Sequence, residues 1–130
     1  MKQLDISRLE HIIDYCNEIS NTVVRYGNDY SVFESDSDYQ KSVAFSVLQI
    51  GELCAGLSDE FIAETSSQMP WRSIKGMRNV VVHNYGSVDR VILWNTVNSD
   101  IPKLKDFCLE NIHTEDNSKK NDSDDDTHEK

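Results

Sequence analysis

The 130-residue chain has few cysteines, few prolines and no long apolar run. A membrane-spanning helix needs roughly 18 apolar residues in succession, so the sequence predicts none. The first residues do not form the apolar stretch of a secretory signal, and we expect a cytoplasmic protein with no membrane partner. Cys16, Cys54 and Cys108 are widely spaced within apolar helical patterns. That arrangement predicts buried free thiols, with no disulfide and no metal site.

Acidic residues outnumber basic ones and give the chain a formal net charge of −10. Residues 1–70 hold 4 lysines and arginines against 12 aspartates and glutamates, whereas residues 71–113 hold 6 against 4. So acidic a chain argues against nonspecific binding to long nucleic acid. The basic segment 71–90 fits either a focused phosphate site or a surface that docks an acidic partner.

Apolar residues recur at helical spacing along most of the chain, which predicts an all-α fold: an antiparallel bundle of four to five helices. The β-branched segment 80–82 has no second strand-like run to pair with, so it too is predicted helical. One hundred and thirty residues suffice for one domain, which we place at residues 1–113. Residues 114–130 contain no large apolar side chain and predict a disordered acidic tail. The predicted helices cover about residues 5–25, 36–57, 58–66, 77–85 and 87–112.

Several residues mark the predicted helix ends. Asp5 is a plausible N-cap of the first helix, and Ser35 with Asp38 resembles a capping box for the second. Residues 71–75 are expected to form one short turn or helix, which Gly76 ends before the fourth helix begins at Met77. Pro102 lies inside the last helical pattern and predicts a kink near Asn98.

Residues 78–85 form the most informative segment, because they place Arg78, His83 and Tyr85 beside Asn79 and Asn84. RNA can be cut without a metal ion when its 2′-hydroxyl attacks the adjacent phosphorus. Histidine can move the protons near neutral pH. Arginine offers a planar fork of donors that matches phosphate oxygens and stabilises the transition state.

The spacing limits how these side chains can meet. Arg78 and His83 are five residues apart and diverge by roughly 140° on one helix. Either the helix ends before His83, or two copies of the chain meet in a two-fold dimer. The residues alone leave plainer roles open: a capping histidine, a solvated or ion-paired arginine, and a packed tyrosine ring.

Glu52 is the only charged residue between Lys41 and Asp59. A carboxylate in such an apolar helix is usually solvated or paired, but it is also a candidate to face a site. Gly51 beside it is expected to allow two helices to approach closely.

Residues 70–85 resemble the signature of the HepT-like HEPN toxins, which is an arginine, four residues, a histidine, one residue and a tyrosine. Arg78, His83 and Tyr85 match it in type and spacing, and Asn79 also matches the usual pattern. Segments 49–52 and 100–104, with Trp94, look like the family's second and last helices. The resemblance covers about residues 4–112.

The resemblance implies a dimeric α-helical bundle, in which two motifs share one cleft, and a metal-independent endoribonuclease without a cofactor. It also implies a toxin with an antitoxin partner, a nucleotidyltransferase of the MNT type. By resemblance, Arg78 binds the scissile phosphate of the RNA substrate and His83 is the general acid or base. Asn79 and Glu52 are auxiliary, and Tyr85 receives AMP from the antitoxin, which would block the site by charge and volume.

Two other interpretations stay open at the level of sequence. The chain could be a non-catalytic dimeric helical module that docks a nucleotidyltransferase partner through its basic segment. Alternatively it could be chiefly a substrate of that transferase, with weak or lost nuclease activity.

Overall fold

Seven α-helices make up the described part of the chain. The computed structural model describes the backbone of residues 1–83 and 89–128, and the side chains of residues 1–79 and 89–117. No strand occurs in those ranges, so the predicted all-α fold is confirmed. There are more helices than predicted, because the six-residue α2 was not predicted and the last predicted helix is divided into α6 and α7. The helices are α1 (Gln3–Tyr26), α2 (Tyr30–Ser35), α3 (Ser37–Ala55), α4 (Asp59–Glu64), α5 (Trp71–His83), α6 (Arg90–Asn95) and α7 (Ile101–His128).

The start of α1 differs from the prediction. Lys2 is the N-cap, and Asp5 lies inside the first turn with 1% of its surface exposed. Asp5 accepts hydrogen bonds from the backbone N–H of Ser58 at 2.8 Å and from its hydroxyl at 2.6 Å. The predicted cap role of Asp5 is therefore wrong, because this carboxylate pairs with donors at the beginning of α4 instead.

The turn into α3 also uses a different residue from the predicted one. Asp36 caps α3 by accepting from the backbone N–H groups of Asp38 and Tyr39. Ser35 belongs to α2, where its hydroxyl donates to the carbonyl of Ser31. The predicted capping box is wrong, because Ser35 is the last residue of α2 and Asp36 is the cap of α3. Apolar periodicity did not reveal α2, since that helix has only six residues. Ser58 caps α4, since its hydroxyl accepts from the backbone N–H of Phe61.

Helix α3 lies at the centre of the bundle and packs against both α1 and α5, while α7 packs against α1. Ile50 is fully buried, and it lies on the buried face of α3, three residues after Val47 and four before Cys54. All three cysteines are free and buried, as predicted. The most deeply buried large side chains come from five helices: Tyr39, Phe33, Leu9, Ile12, Ile50, Leu93 and Leu104.

The last predicted helix is divided in the structure. Asp89 caps α6, and a π-helical turn over Thr96–Asp100 joins α6 to α7. This turn contains Asn98, near which a kink was predicted. Pro102 has no backbone N–H to donate to the carbonyl of Asn98, so the regular hydrogen-bond pattern is interrupted there. The predicted end of the last helix near residue 112 is wrong, since α7 continues to His128 through local backbone bonds. That residues 114–130 are disordered in solution stays a prediction.

No helix within the described ranges has the length and apolar character needed to cross a membrane.

Candidate active site

The first turn of α5 is fixed in the core by Trp71. Its indole ring is 5% exposed and packs near the rings of Phe61 and Phe107, with centroids 6.2 and 5.4 Å away. The indole N–H donates to the hydroxyl oxygen of Thr65 at 2.9 Å, and that hydroxyl donates to the carbonyl of Phe61 at 2.7 Å. A buried indole N–H needs such a partner. The start of α5 is therefore held both by packing and by a buried hydrogen bond.

Helix α5 continues from this anchor without a break. Trp71, Ile74 and Met77 are buried at spacings of three residues and form the packed face of the helix. Gly76 lies inside α5, so the predicted interruption there is wrong. A glycine costs a helix only about 1 kcal/mol, which burial of the packed face can offset. The backbone of segment 80–82 is helical, as predicted.

The middle of α5 lies very close to α3. A Cβ atom placed on Gly51 would lie 3.0 Å from the Cβ of Arg78 and 3.4 Å from its Cα. The predicted role of Gly51 in close helix approach is therefore confirmed, and its neighbour across the interface is Arg78. Any larger residue at position 51 would press on the backbone of α5 at this arginine.

Arg78 forms an ion pair across the same contact. Its Nη1 atom lies 3.2 Å from Oε1 of Glu52, and the two side chains are 41% and 52% exposed. Both groups thus remain open to solvent beside the helix contact. Asn79, the next residue of α5, is exposed. The structure thus brings Arg78 and Glu52 together and leaves Asn79 at the surface.

The other two predicted site residues lie at the edge of the described chain. His83 is the last residue of α5, but its side chain is outside the described side chains. Tyr85 lies outside the described residues altogether. Because α5 extends through His83, the helix does not end before it. The sequence left two ways for Arg78 and His83 to meet: a helix that ends before His83, or a two-fold dimer. The structure removes the first of these.

The lysine and two arginines of α5 form a row that turns by about 60° around the helix at each step. Arg72 is exposed and Lys75 half-buried, and each is followed by the next cation three residues later. Among the described residues, Arg78 alone of these three has a carboxylate within 4 Å. The described face of α5 therefore presents positive charge in an otherwise acidic molecule, as an anion site requires.

A groove lies on another side of α5. It has a volume of about 750 Å³ and is bounded by residues 68–77 and by α7. On that side, Asp100 of the π-helical turn and Asp106 and Glu110 of α7 line the groove against the single Lys103. Neither Arg78 nor Glu52 lines it, and carboxylates would repel RNA phosphates there. We therefore assign the candidate site to the contact between α3 and α5.

Burial makes the three cysteines poor candidates for thiol chemistry. Burial raises the pKa of Cys16 and of Cys54 to about 12, and burial also raises the pKa of Cys108. A thiol in this state forms almost no thiolate near neutral pH. Across the described side chains, no three histidine, cysteine, aspartate or glutamate residues are grouped as metal ligands.

The residue that the sequence did not reveal is Thr65. The sequence around Thr65 gives no sign of this role. A buried tryptophan, however, predicts a hydrogen-bond acceptor near the indole N–H. The sequence alone does not show that Trp71 is buried, so it does not identify Thr65 as the acceptor.

Comparison with known proteins adds an independent line of evidence. A family model described as "Ribonuclease HepT-like" matches residues 8–110. The chain is 33% identical to "Putative RNase TTE0752" of Caldanaerobacter subterraneus subsp. tengcongensis, over 82% of this chain and 93% of that protein. It is 30% identical to "Putative RNase MJ1380" of Methanocaldococcus jannaschii, over 64% and 84%. It is 36% identical to "Probable ribonuclease HepT" of Thermococcus cleftensis, over 56% and 66%. No solved structure matches the chain.

Proposed function

Because the chain belongs to the HepT-like ribonuclease family, we propose that it is an endoribonuclease that cuts RNA without a metal ion, using Arg78 and His83. The observation that carries the proposal is the position of Arg78. It is a half-exposed cation on the basic face of α5, at the contact with α3, on the same helix as His83. This is where an anionic substrate can approach an otherwise acidic chain.

The proposed reaction is a transfer within the RNA backbone. The 2′-hydroxyl oxygen attacks phosphorus while the bond from phosphorus to the 5′-oxygen breaks, leaving a cyclic phosphate and a 5′-hydroxyl. His83 takes the proton from the 2′-hydroxyl or gives one to the leaving oxygen. Arg78 stabilises the charge that develops on the phosphate oxygens in the transition state. Asn79, exposed next to Arg78, is an auxiliary group that orients the site.

The proposal includes a two-fold dimer. On the unbroken helix α5, Arg78 and His83 diverge by roughly 140°, so one helix presents them poorly to a single phosphate. In a dimer, Arg78 of one copy and His83 of the other can meet at the same phosphate. Phe45 supports such an interface, because it is 55% exposed and lies seven residues before Glu52, on the same face of α3. That face could pair with its own copy across a two-fold axis.

Family membership further supports a biological role as the toxin of a toxin–antitoxin pair, acting in the cytoplasm. The proposed antitoxin is a nucleotidyltransferase of the MNT type that transfers AMP to Tyr85. The added phosphate and nucleoside would oppose substrate phosphate two residues from His83. Co-expression with such a transferase, followed by intact-mass measurement, tests this step. A mass increase of one or more AMP units that disappears in Tyr85→Phe is expected, and unmodified wild-type chain would contradict it.

The nuclease proposal is tested by RNA cleavage in EDTA. Arg78→Ala and His83→Ala should each abolish cleavage. Arg78→Lys should retain only part of it, because an ammonium keeps the charge but loses the planar fork. Arg25→Ala and His11→Ala are matched controls, since both residues are exposed on α1 and should leave cleavage unchanged.

Three outcomes would overturn the nuclease proposal. Cleavage that needs added metal would remove the metal-free mechanism. No cleavage by the wild-type chain, with partner binding that survives His83→Ala, would favour the non-catalytic dimeric binding module instead. No cleavage, together with AMP transfer to Tyr85, would favour a chain that is chiefly a transferase substrate.

A further inference from the structure

The carboxylate of Glu52 is placed where it can control the direction of Arg78. Gly51 brings α3 so close to α5 that its missing Cβ would lie 3.0 Å from the Cβ of Arg78. The next residue of α3 then reaches the guanidinium, with Oε1 of Glu52 3.2 Å from Nη1. The backbone of α3 at Gly51 thus lies against the base of the Arg78 side chain, and the carboxylate of Glu52 holds its guanidinium end.

The pair leaves much of the guanidinium available. An arginine has five N–H donors, and the ion pair faces Nη1. The side chain remains 41% exposed, so donors on Nε and Nη2 can still meet phosphate oxygens. A carboxylate on one edge of the fork can therefore fix its orientation while another edge binds substrate.

Stability does not explain this pair. Both partners are near half exposed, and such pairs contribute little to folding because water and salt screen them. Glu52 is also the only charge in residues 42–58 of an otherwise apolar and small-residue stretch. A carboxylate at this position is better explained by its effect on Arg78 than by its effect on the fold.

We propose that Glu52 is a positioning residue, which holds the Arg78 guanidinium by one edge and directs its free N–H groups toward the scissile phosphate. This inference rests on the proposed nuclease function. It assigns Glu52 no proton transfer and no contact with the RNA. The opposite role, in which Glu52 masks Arg78 from the phosphate, predicts the reverse result in the experiment below.

The kinetic experiment compares variants of two ion pairs. Glu52→Ala should lower kcat by about ten- to a hundredfold, as expected when a catalytic group loses its orientation, with a smaller change in KM. Glu52→Gln keeps the length and one acceptor oxygen but no charge, and should be intermediate. The Tm should change by less than about 2 °C, since an exposed pair adds little stability.

Glu60→Gln is the matched control. Glu60 pairs with Lys2 at 2.7 Å, and these side chains are 65% and 61% exposed on another surface. This variant should cleave RNA as the wild type does. A rise in cleavage by Glu52→Gln would overturn the proposal in favour of masking. Unchanged kcat in Glu52→Ala, or a loss that simply follows a fall in Tm, would overturn it as well.

A second readout needs no nuclease activity. In ¹⁵N-labelled protein without RNA, the Nε–Hε signal of Arg78 is assigned by its absence in Arg78→Lys. Glu52→Gln should shift this signal and broaden it, whereas Glu60→Gln should leave it in place. An unmoved Arg78 signal would overturn the positioning role even if the chain cuts RNA. A shifted signal in a chain that cuts no RNA would retain the geometric claim and remove only the proposed function.

Discussion

The two ends of α5 differ in what surrounds them. At the first end, Trp71, Ile74 and Met77 are buried, and the indole N–H has a buried acceptor. Toward the second end, Arg78 is half exposed and Asn79 is at the surface. The first turns of α5 therefore hold the helix in the core, whereas the solvent-facing side chains of Arg78 and Asn79 lie where we propose the site. A helix anchored in this way can present polar side chains without depending on them to fold.

Among these variants, Trp71→Ala should cause the largest loss of stability, because it removes the anchor of the first turn of α5. It removes a buried ring that packs between Phe61 and Phe107, and such truncations cost about 3–5 kcal/mol of unfolding free energy. Chemical denaturation monitored by circular dichroism measures the loss. Arg72→Ala, one residue later and exposed, is the control and should cost far less. Equal losses in the two variants would show that the first turn is not an anchor.

Thr65→Val should have a smaller effect at the same end. It preserves the shape of the side chain but leaves the indole N–H of Trp71 without its buried acceptor, at a cost of about 1–3 kcal/mol. Ser66→Ala is a suitable control, because Ser66 is exposed and its hydroxyl donates only to a nearby carbonyl. Should the two variants be equally stable, the buried hydrogen bond contributes nothing to holding α5.

The smallest effect on stability is expected for the two helical glycines. A Cβ added at Gly76 meets none of the described atoms within 4 Å, and Gly76→Ala should stabilise the fold by about 0.5–1 kcal/mol, because alanine is the better helix former. Gly51→Ala gains the same preference but presses its Cβ against Arg78. We expect it to be less stable than Gly76→Ala and to cleave RNA more slowly. If the two variants match in Tm and in cleavage, the close contact of α3 and α5 does not control the site.

The sequence predicted the fold better than its details, for physical reasons. Apolar periodicity reveals long helices such as α1 and α3, because their buried faces repeat over many turns. Helix α2 has six residues, too few for a periodic signal, and so it was missed. The role of Asp5 was misjudged because its donors on Ser58 are distant in sequence. Local patterns cannot reveal a partner that only the tertiary fold supplies.

The candidate site was predicted in part. The family resemblance implied that Glu52 is an auxiliary neighbour of the motif, and in the structure its carboxylate lies 3.2 Å from Nη1 of Arg78. Its role in a reaction stays a prediction. The side chain of His83 and all of Tyr85 fall outside what the structure describes, so their roles stay predictions. Dimerisation also stays a prediction, because residue spacing argues for a second copy without showing its surface.

The most direct test of the account mixes two inactive chains. Arg78→Ala and His83→Ala are co-expressed with different tags, and the heterodimer is isolated through both. If each site takes its arginine from one copy and its histidine from the other, one of the two sites is rebuilt, and cleavage should return to about half of the wild-type rate. The Arg78→Ala and His83→Ala homodimers should remain inactive. A heterodimer as inactive as those two, beside an active wild type, would contradict a site shared between copies.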